Sequence, residues 1–240
     1  MTNQMTPGEF NTDKGVSFLH NYSEVFAEYA DSEVRLLELG VLHGGSLDLW
    51  AKYFSKGTIV GVDINQVEVN QHNGRVRFFQ GDQSDVALLR NVRNLTAPDG
   101  FDIIIDDGSH FARHTENSFL HLYMEALKPG GIYVIEDWGT GYWNKWPDGK
   151  DLNLTDDHII TKLRSGANLP KAAEPTEIRY QSHEYGMVGL VKQLIDEVAI
   201  RDVTKQGMTS NLPLPPLVDK VIIVTGKFLS LSPCKQLVLH

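Results

Sequence analysis

The stretch Leu36-Leu37-Glu38-Leu39-Gly40-Val41-Leu42-His43-Gly44-Gly45-Ser46 decides the fold of this chain. It opens with an apolar run typical of a buried strand, passes through a glycine-rich turn, and leads into an apolar stripe at helical spacing. A strand, a glycine turn and a helix in this order form the first unit of many nucleotide-binding α/β folds. The stretch therefore predicts a ligand site at the carboxyl end of a strand in a parallel sheet.

The same alternation of strand and helix continues along the chain. We predict strands over 34–39, 58–62, 76–79, 101–105 and 132–135, helices over 18–29, 47–54, 86–92, 119–126 and 187–198, and Ser84 as an N-cap. Runs at 218–225 and 228–231 suggest a closing hairpin. The predicted fold class is α/β and Rossmann-like, with a mostly parallel central sheet, helices on both faces and a C-terminal antiparallel hairpin.

Length and composition indicate a globular protein without a nucleic-acid or membrane partner. The chain has 240 residues, 41% of them hydrophobic, and its net charge of −9 argues against a surface for nucleic-acid phosphates. No stretch approaches the roughly 18 apolar residues of a membrane span. The single cysteine, Cys234, and the lack of an apolar run in residues 1–15 favour a cytoplasmic location.

The whole chain is predicted to form a single domain that includes an N-terminal helical cap and a lid or substrate loop. We expect residues 1–32 to form an N-terminal helical cap. Over 142–183 the pattern breaks into Gly, Pro, Asn, Asp and Lys, which predicts a lid or substrate loop. Tyr142 and Trp143 in this loop, and Tyr22 on the cap, either contact substrate or cover the rim of the site. The sequence leaves open whether the chain forms a homo-oligomer.

The glycine spacing favours S-adenosylmethionine (SAM) over a dinucleotide. A dinucleotide-binding loop would place glycines at 40, 42 and 45, but Leu42 replaces the middle one. Because that glycine lets the backbone approach a pyrophosphate, its replacement favours a nucleoside ligand without this group. Asp63 ends the second strand, where it can hold ribose hydroxyls. Asp82 follows the third, where an adenine amino group needs an acceptor.

Two pairs of acids follow neighbouring strands, Asp106 with Asp107 and Glu136 with Asp137. Several carboxylates without a nearby Lys or Arg cannot all stay ionised unless a cation joins them or a proton is shared. Oxygen ligands select a hard ion, so magnesium is favoured over zinc. Capping of helices and loops is the alternative role. Since adjacent residues point to opposite faces, we expect Asp107 to face the site and Asp106 to brace the loop from behind.

His110 is the candidate general base. It follows Asp107 by three residues and would overlook the metal, and imidazole titrates near working pH. The alternative is a histidine that only packs the loop. His114 lies one helical turn further on, and we expect it behind the site.

A set of short motifs strengthens this interpretation: Thr12-Asp13-Lys14-Gly15, Leu36-Leu37-Glu38-Leu39-Gly40, Gly44-Gly45-Ser46, Gly81-Asp82-Gln83, Asp106-Asp107-Gly108-Ser109-His110, Pro129-Gly130-Gly131 and Ile135-Glu136-Asp137. Together they resemble the class I SAM-dependent methyltransferases that O-methylate sugars in macrolides and related glycosides. The resemblance is close over roughly residues 11–146. Cephalosporin hydroxylase-like proteins share much of the pattern.

The resemblance implies a class I methyltransferase fold, SAM as cofactor and a magnesium site. It places the metal on Asp107, Glu136 and Asp137, and the base at His110. The Leu42-His43 pair departs from the glycine-richer loop of that family. The full set of predicted cofactor-binding residues is Glu38, Gly40, Ser46, Asp63, Asp82, Gln83 and Asp106.

The expected reaction is methyl transfer from SAM to a hydroxyl of a sugar or glycosidic substrate, with Mg²⁺ chelating neighbouring hydroxyls and His110 taking a proton. The sequence leaves open a catechol-type methyltransferase that acts on an aromatic acceptor, and a non-catalytic SAM-binding protein. A nicotinamide oxidoreductase is disfavoured by Leu42.

Overall fold

The computed structural model describes residues 10–142, 146–149, 186–203, 220–223 and 236–239. Within them strands and helices alternate as predicted. The strands are β1 (Arg35–Leu39), β2 (Thr58–Asp63), β3 (Val76–Gln80), β4 (Phe101–Asp106), β5 (Leu127–Ile135), β6 (Lys220–Ile223) and β7 (Gln236–Leu239). The α-helices are α1 (Val16–Val25), α2 (Gly45–Tyr53), α3 (Val86–Thr96), α4 (Ala112–His121) and α5 (Gly186–Val203). Short 3-10 turns cover Ala27–Tyr29, His72–Gly74, Trp138–Tyr142 and Pro147–Gly149, and a π-helical turn covers Leu122–Ala126.

The strands form one sheet in the order β3-β2-β1-β4-β5-β7-β6, and every described pair is parallel. The chain order reverses between β1 and β4, which are neighbours in the sheet. In such sheets the crevice for a ligand opens at this point, beyond the carboxyl ends of the strands. The structure therefore confirms the Rossmann-like fold and the expected edge for the site.

The predicted C-terminal antiparallel hairpin, 218–225 with 228–231, is described only in part of its first strand, which contains β6. β6 and β7 pair in parallel, with Lys220 opposite Gln236. A parallel pair needs a crossover connection, so a tight turn at Gly226-Lys227 cannot join these two strands. The predicted strand at 228–231 lies outside the described residues.

The core has two apolar clusters, one on each face of the sheet. Leu36 packs with α1 and α2, whereas its neighbour Leu37 packs with α3, α4 and α5. This alternation explains why the central strands are apolar throughout. Tyr22 of α1 stacks on Phe26, the residue directly after the helix, at 4.9 Å between ring centroids, and α1 thereby covers one face. Among the described residues no helix is both long enough and apolar enough to cross a membrane.

The N-cap of α3 is Asp85 rather than the predicted Ser84. The Asp85 side chain accepts hydrogen bonds from the amides of Ala87 and Leu88, at 2.9 and 3.1 Å. Ser84 instead donates its hydroxyl to Asp82 Oδ1 at 2.8 Å. The helix starts at residue 86 as predicted, and the carboxylate of Asp85 directly before it has the capping role.

Candidate functional site

A cavity of about 350 Å³ lies at the carboxyl ends of β1 to β4. Its size suits a small molecule, since ligand pockets span roughly 300–1,000 Å³. Five predicted cofactor residues line it, together with the predicted base and one predicted metal ligand: Gly40, Ser46, Asp63, Asp82, Gln83, His110 and Asp107. The remaining wall includes Asn11, Thr12 and Asp13 before α1, and His114 on α4.

The glycine loop forms the floor of the cavity where β1 meets β4. Gly40 has a φ of +81°, and a Cβ at this position would lie 2.1 Å from the carbonyl oxygen of Asp107. Only glycine allows this close approach. Asp63 Oδ2 accepts hydrogen bonds from the amides of Val41 and Leu42, at 3.0 and 3.2 Å. Asp63 therefore shapes the loop as well as lining the cavity.

The residues after β3 connect the cavity to the loop after β4. Asp82 Oδ1 accepts hydrogen bonds from the amide and the hydroxyl of Ser84, both at 2.8 Å, and these lower the pKa of Asp82. Gln83 Oε1 accepts from the amide of Ser109 at 2.6 Å, and its Nε2 donates to Asp106 Oδ1 at 3.0 Å. Asp82 thus presents an ionised acceptor, while Gln83 braces the loop that carries His110.

Two predicted cofactor residues, Glu38 and Asp106, do not line the cavity. The carboxylate of Asp106 is buried behind the loop, where it accepts from Ser118 Oγ at 2.7 Å and Tyr133 Oη at 3.2 Å. This confirms its bracing role and corrects its assignment as a cofactor contact. Glu38 is fully buried and accepts from Ser46 Oγ at 2.6 Å. The two carboxylates lie on opposite faces of the sheet, Glu38 beside α2 and Asp106 beside α4, and burial raises the pKa of each.

Asp107, His110 and Asp137 form the cluster that best suits a metal ion. Each offers one ligand atom, and the three atoms lie within 4.8 Å of one another. Nε2 of His110 lies 3.9 Å from Asp107 Oδ1 and 3.8 Å from Asp137 Oδ2. Burial raises the pKa of Asp137, whereas the nearby His110 lowers it. Carboxylate oxygens at this separation are the donor set of a hard divalent ion.

The expectation that no cation lies near the carboxylates is wrong. Nζ of Lys14 lies 2.7 Å from Asp107 Oδ2, 2.7 Å from Glu136 Oε1 and 3.5 Å from Glu38 Oε1. Burial lowers the pKa of Lys14, but the three carboxylates outweigh it, so that this pKa is raised well above its ordinary value. Burial and the charge of Glu136 raise the pKa of Asp107 well above the usual range. Lys14 thus stays charged inside the acidic network.

Tyr22 and Glu136 also belong to this network, so Tyr22 does not have its predicted contact with substrate and Glu136 lies apart from the other candidate metal ligands. The hydroxyl of Tyr22 donates to Glu136 Oε1, and the Tyr22 side chain is completely buried, so it cannot contact a substrate. Burial, with the charge of Glu136, raises the pKa of Tyr22 well above its ordinary value. Glu136 Oε1 is therefore shared by two donors of the protein and lies outside the cluster of Asp107, His110 and Asp137.

The described part of the predicted lid packs next to His110. The Trp146 ring makes an edge contact with the His110 ring at 5.5 Å between centroids. Asp148 Oδ2 accepts from the amides of Ala112 and Met187, at 2.9 and 2.8 Å, so it fastens this segment to the starts of α4 and α5. Of the two aromatic candidates, Tyr142 packs against Trp138 and does not line the cavity. Trp143 and residues 150–185 lie outside the described residues.

Sequence reasoning missed several residues of the site. Lys14 lies in the motif Thr12-Asp13-Lys14-Gly15, but no sequence pattern connects this motif to the predicted carboxylates, which need a positively charged partner. His114 was placed behind the site, yet it lines the cavity. Residues 11–13, which form one wall of the cavity, could not be found by looking at strand ends, because they lie before the first helix and do not follow a strand.

The chain is similar in sequence to known methyltransferases. Residues 19–137 match the family model of FtsJ-like methyltransferases. Mycinamicin VI 2''-O-methyltransferase of Micromonospora griseorubida is 41% identical over 138 residues, which cover 52% of this chain and 33% of that protein. The 8-demethyl-8-alpha-L-rhamnosyl tetracenomycin-C 2'-O-methyltransferase of Streptomyces olivaceus is 41% identical over 130 residues, which cover 51% and 33%.

A solved structure also matches. MycE methyltransferase from the mycinamycin biosynthetic pathway, in complex with Mg and SAH, superposes with a TM-score of 0.57 at 32% identity. The match covers 83% of this chain and 44% of that one, and the chain spans about a third of the length of the two curated relatives. Residues 19–137 of this chain are therefore similar to FtsJ-like methyltransferases, and the chain resembles sugar O-methyltransferases of macrolide and tetracenomycin pathways.

Proposed function

We propose that this chain is a SAM-dependent O-methyltransferase that methylates a hydroxyl of a sugar or glycosidic substrate with the help of Mg²⁺. One observation carries the proposal: Asp107 both lines the cavity and belongs to the cluster with His110 and Asp137. A methyl donor in the cavity would therefore lie next to a metal and a base. The relatives that O-methylate sugars support the same reaction.

The cavity has the polar groups that SAM requires. Asp63 is placed for the ribose hydroxyls, because each carboxylate oxygen has a second lone pair beyond those that hold the loop amides. Asp82 is placed for the adenine amino group, with its Oδ1 held by Ser84. The strand-end position of both acids supports a nucleoside ligand over a dinucleotide, as does Leu42 in the loop.

The acidic cluster fits a divalent ion by its donor chemistry. We assign Asp107 and Asp137 as ligands; Glu136 lies outside their cluster, and because Lys14 and Tyr22 hold its Oε1, only its Oε2 would be left for the ion. Oxygen donors favour magnesium over softer metals. When bound, Mg²⁺ supplies Lewis-acid chemistry that makes a sugar hydroxyl more acidic, and SAM supplies a methyl group on a positively charged sulfur.

The residues of the chain then orient the acceptor and move one proton. His110 would take a proton from the acceptor hydroxyl at Nε2, and the oxygen would bond to the methyl carbon as the carbon–sulfur bond of SAM breaks and S-adenosylhomocysteine leaves. The His110 ring is held by its left-handed backbone and by the edge of Trp146. Trp146 and the segment fastened by Asp148 also limit access of water to His110.

Calorimetric titration with S-adenosylhomocysteine (SAH), NAD and ATP, each with and without Mg²⁺, tests the cofactor assignment. We expect SAH to bind in the micromolar range whether or not Mg²⁺ is present, because the metal cluster lies at one end of the cavity. Tighter binding of NAD than of SAH would contradict the assignment. A protein that binds SAH but transfers no methyl group to any hydroxylated acceptor would be a non-catalytic binder.

A further inference from the structure

Lys14 is the one lysine or arginine that is buried among the residues that the structure describes. It lies just before α1, and 93 residues separate it from Asp107. Its ammonium donates to Asp107 Oδ2 and Glu136 Oε1, both at 2.7 Å, and pairs with Glu38 at 3.5 Å. A buried lysine in such a position is costly to desolvate, so it persists only where charged partners surround it.

The carboxyl groups around Lys14 carry more negative charge than its ammonium group balances. Three carboxyl groups, those of Glu38, Asp107 and Glu136, share one ammonium group. The half-exposed carboxylate of Asp137 adds a fourth acid at the open side of the network. Lys14 thus supplies one positive charge permanently, and a divalent ion would supply two more.

Lys14 also anchors one wall of the cavity. The three residues before it, Asn11, Thr12 and Asp13, line the cavity directly. At the other end of this segment the backbone of Asn11 lies against Gly45, where a Cβ would come within 2.1 Å of the Asn11 carbonyl oxygen. At the Lys14 end, the two hydrogen bonds of the ammonium hold the segment to Asp107 and Glu136, which directly follow β4 and β5.

We propose that Lys14 is a positioning residue that couples the two halves of the site: it holds the wall of residues 11–13 against the cofactor, and its charge on Asp107 and Glu136 limits how tightly these carboxylates bind a divalent ion. This inference rests on the proposed function, because it gives the cavity a cofactor and the carboxylates a metal. It assigns Lys14 no contact with the acceptor or the methyl group.

The proposal predicts opposite changes in two affinities when the ammonium is removed. In Lys14→Met the wall loses its charged hydrogen bonds, so SAH affinity measured in EDTA should fall roughly 10–100-fold. Mg²⁺ affinity should instead rise, roughly tenfold, because a competing positive charge has left Asp107 and Glu136. General damage to the site would lower both affinities together.

Thermal unfolding supplies a readout that needs no activity. Uncompensated carboxylates should lower the melting temperature of Lys14→Met in EDTA by about 6–20 °C, and Mg²⁺ should raise it more than in the parent protein. Lys56→Met is the matched control, since Lys56 is exposed, lies away from the cavity and loses the same charge. If Lys14→Met does not fold in EDTA, the double variant Lys14→Met/Glu38→Gln is used instead. It removes one buried acid together with the ammonium, and it replaces the single variant in the titrations with SAH and with Mg²⁺.

The results separate this inference from the proposed function. Failure of the parent protein to bind SAH and Mg²⁺ would contradict the proposed function. A parent protein that binds both, with a folded Lys14 variant whose SAH affinity is unchanged, would overturn the role of Lys14 alone. A parallel fall of both affinities would overturn it too, whereas weaker SAH binding with tighter Mg²⁺ binding supports it.

Discussion

Nε2 of His110 lies 3.8 Å from Oδ2 of Asp137, and both residues have a φ of 51° although neither is glycine. They follow β4 and β5, whose carboxyl ends are adjacent in the sheet. A left-handed backbone costs a non-glycine residue about 1–2 kcal/mol, and such strain is concentrated at functional sites. The pairing of the two strained residues places a carboxylate beside the imidazole of His110, which lines the cavity.

His110→Ala should lower turnover by roughly 10²–10⁴-fold, since the variant has no group to take the acceptor proton. SAH and Mg²⁺ affinities should change little, and the exposed His20→Ala on α1 should behave like the parent protein. The measurements are steady-state methyl transfer and calorimetry on the same preparations. Near-normal turnover in a stable His110→Ala protein would refute the base, and loss of Mg²⁺ binding would make His110 a ligand instead.

Asp137→Asn should weaken Mg²⁺ binding by about 10–100-fold or more and leave SAH binding nearly unchanged. Asp137 is 49% exposed and makes no ion pair with Lys14, so its replacement removes a ligand without opening the buried network. The exposed Asp99→Asn serves as a control for loss of a surface charge. Calorimetric titration with MgCl₂ measures the affinity for Mg²⁺. An Asp137→Asn protein with parental Mg²⁺ affinity would exclude this carboxylate as a ligand.

Asp63→Ala should weaken SAH binding, because the carboxylate both faces the cavity and holds the amides of Val41 and Leu42. The loss of charged hydrogen bonds predicts roughly a 10–100-fold change. Asp85→Ala is a matched control that loses the N-cap of α3, about 1 kcal/mol of stability, without touching the cavity. Equal SAH affinities for the two variants would show that Asp63 does not contact the ligand.

The protein should lose stability at alkaline pH through Lys14 and Tyr22. The pKa of Lys14 is raised well above its ordinary value by its carboxylate partners, so its contribution is complete below about pH 10.4 and disappears as pH rises through the folded-state pKa. The raised pKa of buried Tyr22 acts in the same direction. Urea unfolding at a series of pH values should show a steeper alkaline decline for the parent protein than for Lys14→Met, and identical slopes would contradict this.

The sequence predicted most of the fold and the strand-end residues of the cavity. Gly40, Asp63 and Asp82 follow apolar runs, and residues at the carboxyl ends of parallel strands meet at one edge. Side-chain alternation also predicted correctly that Asp107 faces the cavity while Asp106 lies behind it.

The buried charge network could not be derived from the same reasoning. Lys14 reaches Glu136 across 122 residues, and no local pattern connects the segment before α1 to the end of β5. Tyr22 lies on the apolar stripe of α1, where its ring packs in the core while its hydroxyl reaches Glu136. The strand β7 was not predicted, because four residues are too few for a period to be read.

Methyl transfer itself tests the central claim most directly. The protein would be incubated with SAM labelled with tritium in its methyl group and with a panel of rhamnosyl and other glycosides, in parallel with Mg²⁺ and with EDTA. We predict label in a sugar methyl ether only when Mg²⁺ is present. Equal labelling in EDTA, or label in catechols but in no glycoside, would contradict the account.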